Sequence, residues 1–293
     1  MSASGHTCTL IACLLVTSAA PAQSSLLWKF EKGQTFEVER AATQKQTVEL
    51  NGKQFKQQRL STWIIRLEVK DKHADGFVML ATLQKVVHLV TGGTDADAID
   101  PKLHEKMYGS AFRLIVTPAG RIVDLQGYED FLARLAAKDK TRLKSLRITF
   151  PESAVKETLA ELFGPLPPMS VMQGDVWKRK YLEPIPHFGA LRSIVNYRYE
   201  EAAKNLDRIA YTIETAYELP KDDVGVLFRI VKGRIDSEKA NGRLVFDRAA
   251  GHLVEHERTM LLRGTLTIES MDRQQPLEFT SANEVKIRVT KSK

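Results

Sequence analysis

Cysteine is almost missing from this 293-residue chain, and both copies, Cys8 and Cys13, lie near its start. Beyond Cys13 the sequence therefore has no disulfide, no thiol nucleophile and no cysteine-based zinc site to offer. Charge is missing from the same region: residues 1–22 contain no Asp, Glu, Lys or Arg. Elsewhere 43 Lys and Arg against 36 Asp and Glu leave a formal +7, with no one-sign block long enough to form a polyionic tail. Nor does any apolar run reach the about 20 residues of a membrane-spanning helix. The G-x-S-x-G elbow, the P-loop, the G-x-G-x-x-G turn and Cys/His clusters are all absent. Carboxylate pairs for glycoside cleavage cannot be singled out among 36 acids. No catalytic, cofactor-binding or metal-binding residue is therefore assigned, and no cofactor is expected. What remains is 43% hydrophobic and 27% charged, a folded globular composition that excludes a disordered chain.

The uncharged start has a pattern of its own. Leu10, Ile11, Leu14, Leu15 and Val16 form a short apolar stretch, and Ala20-Pro21-Ala22 follows before Gln23. This is the layout of a secretory signal peptide over residues 1–22, although no Lys or Arg precedes the apolar part. It implies an exported protein, periplasmic or extracellular. A second reading takes Leu10-Ile11-Ala12-Cys13 as a lipoprotein cleavage box with Cys13 acylated. The apolar run continues past Cys13, where such a box would turn polar.

After the leader, two-residue alternation dominates. Leu26, Trp28 and Phe30 alternate, then Phe36 and Val38, then Val48 and Leu50 before Asn51-Gly52. Asn-Gly between alternating runs marks a hairpin, because a two-residue turn needs positive φ at both central positions. The same device recurs at Asp75-Gly76, Ala119-Gly120, Asn241-Gly242 and Ala250-Gly251. Strand-like runs lie between these turns at residues 63–69, 77–90, 112–116, 122–125, 194–199, 209–219, 226–235, 244–246, 253–263 and 285–289. Successive hairpins predict antiparallel neighbours in a meander.

Two segments have helical spacing instead: residues 128–144, with Phe131, Leu132 and Leu135, and residues 152–163, with Val155, Leu159 and Leu162. The second ends at Gly164-Pro165, a usual helix exit. The proline-rich stretch 164–168 then marks the internal boundary, giving a β-rich half with C-terminal helices over 23–164 and a second β-rich half over 165–293. The halves align weakly. Gly33 and Phe36 match Gly174 and Trp177, residues 64–69 match 194–199, and Arg113-Leu114 matches Arg243-Leu244. An internal repeat is the reading that fits. The expected fold class is mostly β with minor α, a large antiparallel meander forming a curved sheet or half-barrel, with helices between two similar halves.

One motif suggests chemistry. His252, Glu255 and His256 fit H-x-x-E-H, in which two histidines bind zinc and the glutamate acts as base. That chemistry needs a helix, where positions four apart lie about 6 Å from each other. On a strand they stand about 13 Å apart, beyond the reach of one ion with metal–nitrogen bonds of about 2.1 Å. The surrounding alternation predicts a strand with two exposed histidines, and a zinc hydrolase would further need Glu269, Glu278 or Glu284 to converge on them. The acidic run at residues 94–100 lacks the central glycine of a calcium loop and reads as solvated. Lys138, Lys140, Arg142, Lys144 and Arg147, and separately Lys178, Arg179 and Lys180, form basic clusters. They suit weak contact with anionic surfaces rather than base recognition, since no aromatic residue is interleaved in the first. Trp28, Trp63 and Trp177 fall at strand positions and read as packing residues.

Trp28-Lys29-Phe30 followed by Gly33 and Phe36, and the Pro118-Ala119-Gly120 turn within residues 112–123, carry a resemblance. The chain resembles exported proteins of planctomycete-type bacteria that are grouped only as a domain of unknown function. The fold that this implies is similar to the open curved sheets of bacterial lipoprotein carriers. Two roles are expected from these readings. One is a non-enzymatic structural or protein-interaction component of the cell envelope. The other is a binding module for a lipid-like or apolar small molecule. Neither involves nucleic acid or a transmembrane span, and both leave room for peripheral membrane contact.

Overall fold

The computed structural model describes residues 24–92, 101–167, 170–185, 189–203, 205–220, 229–270 and 273–292. The leader with Cys8 and Cys13, and the acidic run before Pro101, lie outside them. From a central position the chain first builds β1 (Thr35–Leu50), β2 (Lys53–His73) and β3 (Gly76–Gly92), three long antiparallel strands. A short helix, α1 (Pro101–Met107), leads to β4 (Ala111–Val116) and β5 (Ile122–Gln126), which ends one edge of the sheet. Helices α2 (Tyr128–Ala136), α3 (Lys140–Thr149) and α4 (Glu152–Ala160) follow, with a 3-10 turn at Glu161–Phe163. The chain re-enters the sheet at the opposite edge. It returns to the centre through β6 (Val176–Ile185), β7 (Gly189–Ala203), β8 (Leu206–Glu218), β9 (Arg229–Asp247), β10 (His252–Ser270) and β11 (Arg273–Lys291).

The result is one 11-stranded antiparallel sheet in the order β5-β4-β3-β2-β1-β11-β10-β9-β8-β7-β6, not closed into a barrel. β1 and β11 pair at its middle, from Phe36 opposite Lys291 to Leu50 opposite Leu277. The blocks β5 to β1 and β10 to β6 run in the same spatial order on either side of β11. The helical crossing from one edge to the other packs on one face of the sheet, the inner face. One buried cluster joins Phe36, Val38, Ile65, Leu67 and Met79 of the first half to Ile209, Leu244, Phe246 and Leu253 of the second. Leu132, Leu135, Leu159, Leu162 and Phe163 fill it from the crossing helices. The 164–168 stretch does not loop out into solvent where it is described: Leu166 is buried and Gly164 packs against Leu244 and Leu253.

Most turns fall where the sequence places them; Asn51 (φ 53°) and Gly52 (φ 73°) have the left-handed conformation of that hairpin. Asn241-Gly242 is the exception. β9 continues through it as extended strand, with Asn241 opposite Thr259 and Gly242 opposite Arg258. The alternating stretch Leu26, Trp28 and Phe30 is also not a strand. It is an extended segment whose alternate side chains enter the core, tied to the body by Trp28 N to Pro118 O and Lys29 N to Gly251 O, both 2.8 Å. The helix expected over 128–144 breaks at Ala137 (φ 50°) and Lys138 (φ 72°), and Asp139 caps α3 by accepting from Thr141 N and Arg142 N. Among the described residues, no helix is long and apolar enough to cross a membrane.

Candidate functional site on the concave face

The inner face carries charge at one place in its filled half. Arg40 of β1 and Arg258 of β10 occupy inward positions that their neighbours fill with apolar side chains. Glu161, at the start of the 3-10 turn, reaches between them. Arg40 Nε and Nη2 lie 3.0 Å from Glu161 Oε2, and Arg258 Nη1 lies 2.9 Å from Oε1. Burial by itself would raise the carboxyl, but Arg258 and Arg40 outweigh it and hold Glu161 at about 2.

His256 adjoins the cluster. Its Nε2 is 2.7 Å from the hydroxyl of Tyr211, on β8, with donor and acceptor roles set by the imidazole tautomer. Burial pushes His256 down to about 4, against the opposing pull of Glu161, so the ring is neutral at pH 7. Tyr211 reaches it by crossing Gly242, its direct partner on β9. A second buried charge is structural. Asp207 is paired with Arg248 at 2.8 Å and accepts from Tyr199 at 2.6 Å, with Ser24 Oγ 3.2 Å from the same phenol oxygen. It ties the N-terminal segment to β7 and β8.

The zinc-like motif takes another form from the one its spelling suggests. His252, Glu255 and His256 all lie on β10. A register shift between Leu253 and Glu255 makes Leu253 and His256 both face inward, so His252 is out of phase with His256. His252 stands edge-on to Phe36 at 5.6 Å, while Glu255 is paired with Arg243 at 3.3 Å and Lys286 at 3.5 Å. The expectation of two exposed histidines is corrected for both: His256 is 6% exposed, and His252 is partly buried with its ring against Phe36. Nor do the acids offered as a third ligand join them: Glu269 pairs with Arg229, Glu278 stands opposite Glu49 and Thr265, and Glu284 opposite Thr43 and Thr259. No group of three metal-ligating side chains converges among the described residues.

The basic clusters are surface features. In α3, Arg147 makes a bidentate pair with Glu129, and Lys140 and Lys144 are exposed. Lys178 and Lys180 alternate along edge strand β6, whereas Arg179 points inward and donates to Leu166 O. Trp28 is buried, Trp177 stacks on Tyr197 at 5.4 Å, and Trp63 packs on the core from a partly buried position.

Sequence reading missed the other end of the inner face. A second apolar cluster lies there, made of Leu191, Ile230, Ile235, Met260, Leu262, Leu266, Ile268 and Leu277, with Val48, Leu50, Tyr217 and Phe279 packed against it. Every one of these residues belongs to a strand. Val48, Leu50 and Phe279 are half-buried, and Phe55, opposite Val48, is 46% exposed. Among the described residues, the inner face thus has an apolar end packed by the helices, a polar middle and a second apolar end to which only strands contribute. The signal was present in the alternation of Val48 and Leu50, but only the pairing of β1 with β11 shows that it joins Leu277 and Phe279.

No protein-family profile matches the chain, and no curated protein matches it. Among solved structures, one of lipovitellin, described by its lipid–protein interactions, is similar over 90% of this chain at 10% identity and a TM-score of 0.47. The chain spans only 26% of that lipovitellin chain. An outer membrane channel from Pseudomonas putida F1 aligns over 90% of this chain and 98% of its own, at 9% identity and a TM-score of 0.22. Likenesses this distant carry no argument about ligand or activity.

Proposed function

We propose that this protein is an exported, non-enzymatic binding module that holds a lipid-like ligand at the end of its sheet's inner face away from the crossing helices. The observation that supports this reading most directly is the second apolar cluster. Ligand sites are concave and mostly apolar, and large antiparallel sheets commonly place them at an open mouth. Among the described residues, the crossing helices cover one end of the inner face, and Val48, Leu50, Phe55 and Phe279 are partly exposed at the other. Apolar side chains gathered on one face, rather than scattered, are a usual mark of an interaction site. The leader pattern supports export.

Native mass spectrometry of the protein purified without detergent tests the proposal. The expected result is an adduct of several hundred daltons, or uptake of an anthracene-labelled fatty acid that Phe55→Lys weakens. A bare chain that takes up no labelled lipid would overturn it.

A second reading, an interaction component of the envelope, is favoured by edge strand β6. Val176 and Leu182 are 65% and 56% exposed on an unpaired strand edge, which is a template for another chain. Lys178, Lys180 and Pro184 on the same strand oppose indiscriminate pairing. Concentration-dependent self-association or co-purification of an envelope protein, abolished by Val176→Lys, would favour this second role.

A further inference from the structure

The polar middle of the concave face is not neutral filler between two apolar ends. The cross-strand register sets it out in rows. Arg59 stands opposite Gln44, and Gln44 opposite Asn283. One row further on, Gln57, Gln46 and Ser281 line up in the same way. His88 of β3 stands opposite Ser61, next to Arg59 on the inner face. The rows after these are mostly apolar: Phe55, Val48 and Phe279, then Leu50, Leu277 and Leu266, with Lys53 beside Leu50 at the end of the second. Six residues separate Gln44 from Leu50, about 20 Å of extended strand, so a polar belt borders an apolar strip of acyl-chain length.

Among the described residues, the belt is cationic and lacks acids. Past Arg40, the inward positions of β1, β2, β3, β10 and β11 carry no Asp or Glu, while Glu39, Glu49, Glu278 and Glu284 all point outward. Glu161 enters this face from the crossing helices, and its oxygens are taken by Arg40 and Arg258. Arg59 makes no ion pair among the described residues, and its Nε is buried without a hydrogen-bond partner. Nε2 of His88 is in the same position, its ring stacked on His104 at 5.1 Å. Burial, then His104 and Arg59, push His88 below its ordinary value, so it offers hydrogen bonding without charge. A buried guanidinium nitrogen without an acceptor is costly to keep, and its natural complement is an anionic oxygen.

We propose that Arg59, with Gln44, Gln57 and Asn283 beside it, recognises the anionic headgroup of a single-chain amphiphile whose tail lies over Val48, Leu50, Phe55 and Phe279, the partly exposed apolar residues of this face. This rests on the reading of the inner face as an apolar-ligand site and adds what that ligand must carry at one end: a carboxylate or a phosphate. Arg59 is a binding residue here, and the fork of its guanidinium suits two oxygens of either group.

Displacement of a bound fluorescent fatty acid by three competitors of equal chain length tests this: dodecanoate, dodecyl phosphate and dodecanol, at pH 8. The expected result is that at least one anionic competitor binds about tenfold or more tightly than the alcohol, since a charge-assisted bond contributes about that factor. Arg59→Gln is expected to remove the difference while leaving dodecanol affinity unchanged, and Arg59→Lys to keep part of it. Preference for dodecanoate over dodecyl phosphate, or the reverse, identifies the headgroup. Equal affinity for all three, or an anion preference that survives Arg59→Gln in a folded variant, would overturn the headgroup assignment and leave the apolar site standing. Failure of all three to bind would overturn both. Should Arg59→Gln not fold, Asn283→Leu, also expected to weaken the anions selectively, decides between these outcomes.

Discussion

The Tyr211 ring occupies the space over Gly242 where a side chain would stand. A Cβ on Gly242 would lie 2.2 Å from the Tyr211 hydroxyl and 2.4 Å from Glu257 O. Gly242 is therefore needed for room, not for a turn, and that room lets the hydroxyl reach His256. Gly242→Ala is expected to destabilise the fold by about 1–3 kcal/mol through overpacking, with loss of the buried Tyr211–His256 bond. Urea denaturation checks it; a variant as stable as the parent would mean that the β8–β9 pair yields freely.

Glu161 lies between two guanidinium groups, those of Arg40 and Arg258. Removing its charge with Glu161→Gln takes away the carboxylate they share, and breaking a buried ion cluster in this way costs about 3–5 kcal/mol. Replacing all three charges together, Arg40→Met, Glu161→Leu and Arg258→Leu, is expected to cost less than the single change, because the cations that Glu161 balances are removed with it. Chemical denaturation of both variants tests the order. A triple variant less stable than Glu161→Gln would show that the cluster contributes net stability.

How much of this was legible differs from element to element. Asn51-Gly52 announced its hairpin, because nothing but a turn explains two positive-φ residues between alternating strands. Asn241-Gly242 has the same spelling and is strand, because Tyr211, a residue on the neighbouring strand, decides what Gly242 is for. The motif at His252 and His256 reads correctly as a strand, yet the register shift beside Leu253 that turns His256 into the core is not spelled locally. Glu161 was one acid among many. The usable clue was on its partners, since Arg40 follows Phe36 and Val38 at the inward position of an apolar alternation. The distal apolar cluster was the least legible, because its residues come from β1 and from β7 to β11 and meet only through the closing pair of β1 with β11.

Acid is expected to weaken the fold first through His256. Its folded value, about 4, lies below the ordinary histidine value of 6.5. In between, the unfolded chain binds a proton that the folded chain does not, so stability is full above about pH 6.5 and falls as pH drops toward 4. The full effect is about 3 kcal/mol. Glu161, held at about 2, acts in a lower window: its contribution is present above its ordinary 4.5 and is lost as pH falls toward 2. Urea midpoints at pH 7.5 and 4.5 should therefore differ in the parent. His256→Gln, which keeps a partner for Tyr211, should flatten that difference; an unchanged slope would place the titrating group elsewhere.

Trp28 fixes the N-terminal segment inside the core by two separable means. Its ring stacks on Phe30 at 4.6 Å and meets Phe163 and Phe246 edge-on at 5.6 and 6.0 Å. Its Nε1 also donates to Phe163 O at 2.8 Å, across the start of the chain and the end of the crossing helices. Trp28→Ala removes both and is expected to cost about 3–5 kcal/mol. Trp28→Phe keeps most of the ring contacts but strands a buried carbonyl, which costs about 1–3 kcal/mol. Two-state urea curves for the pair apportion packing and hydrogen bonding. Equal losses for Ala and Phe would mean that the bond to Phe163, rather than the aromatic contacts, holds the segment in place.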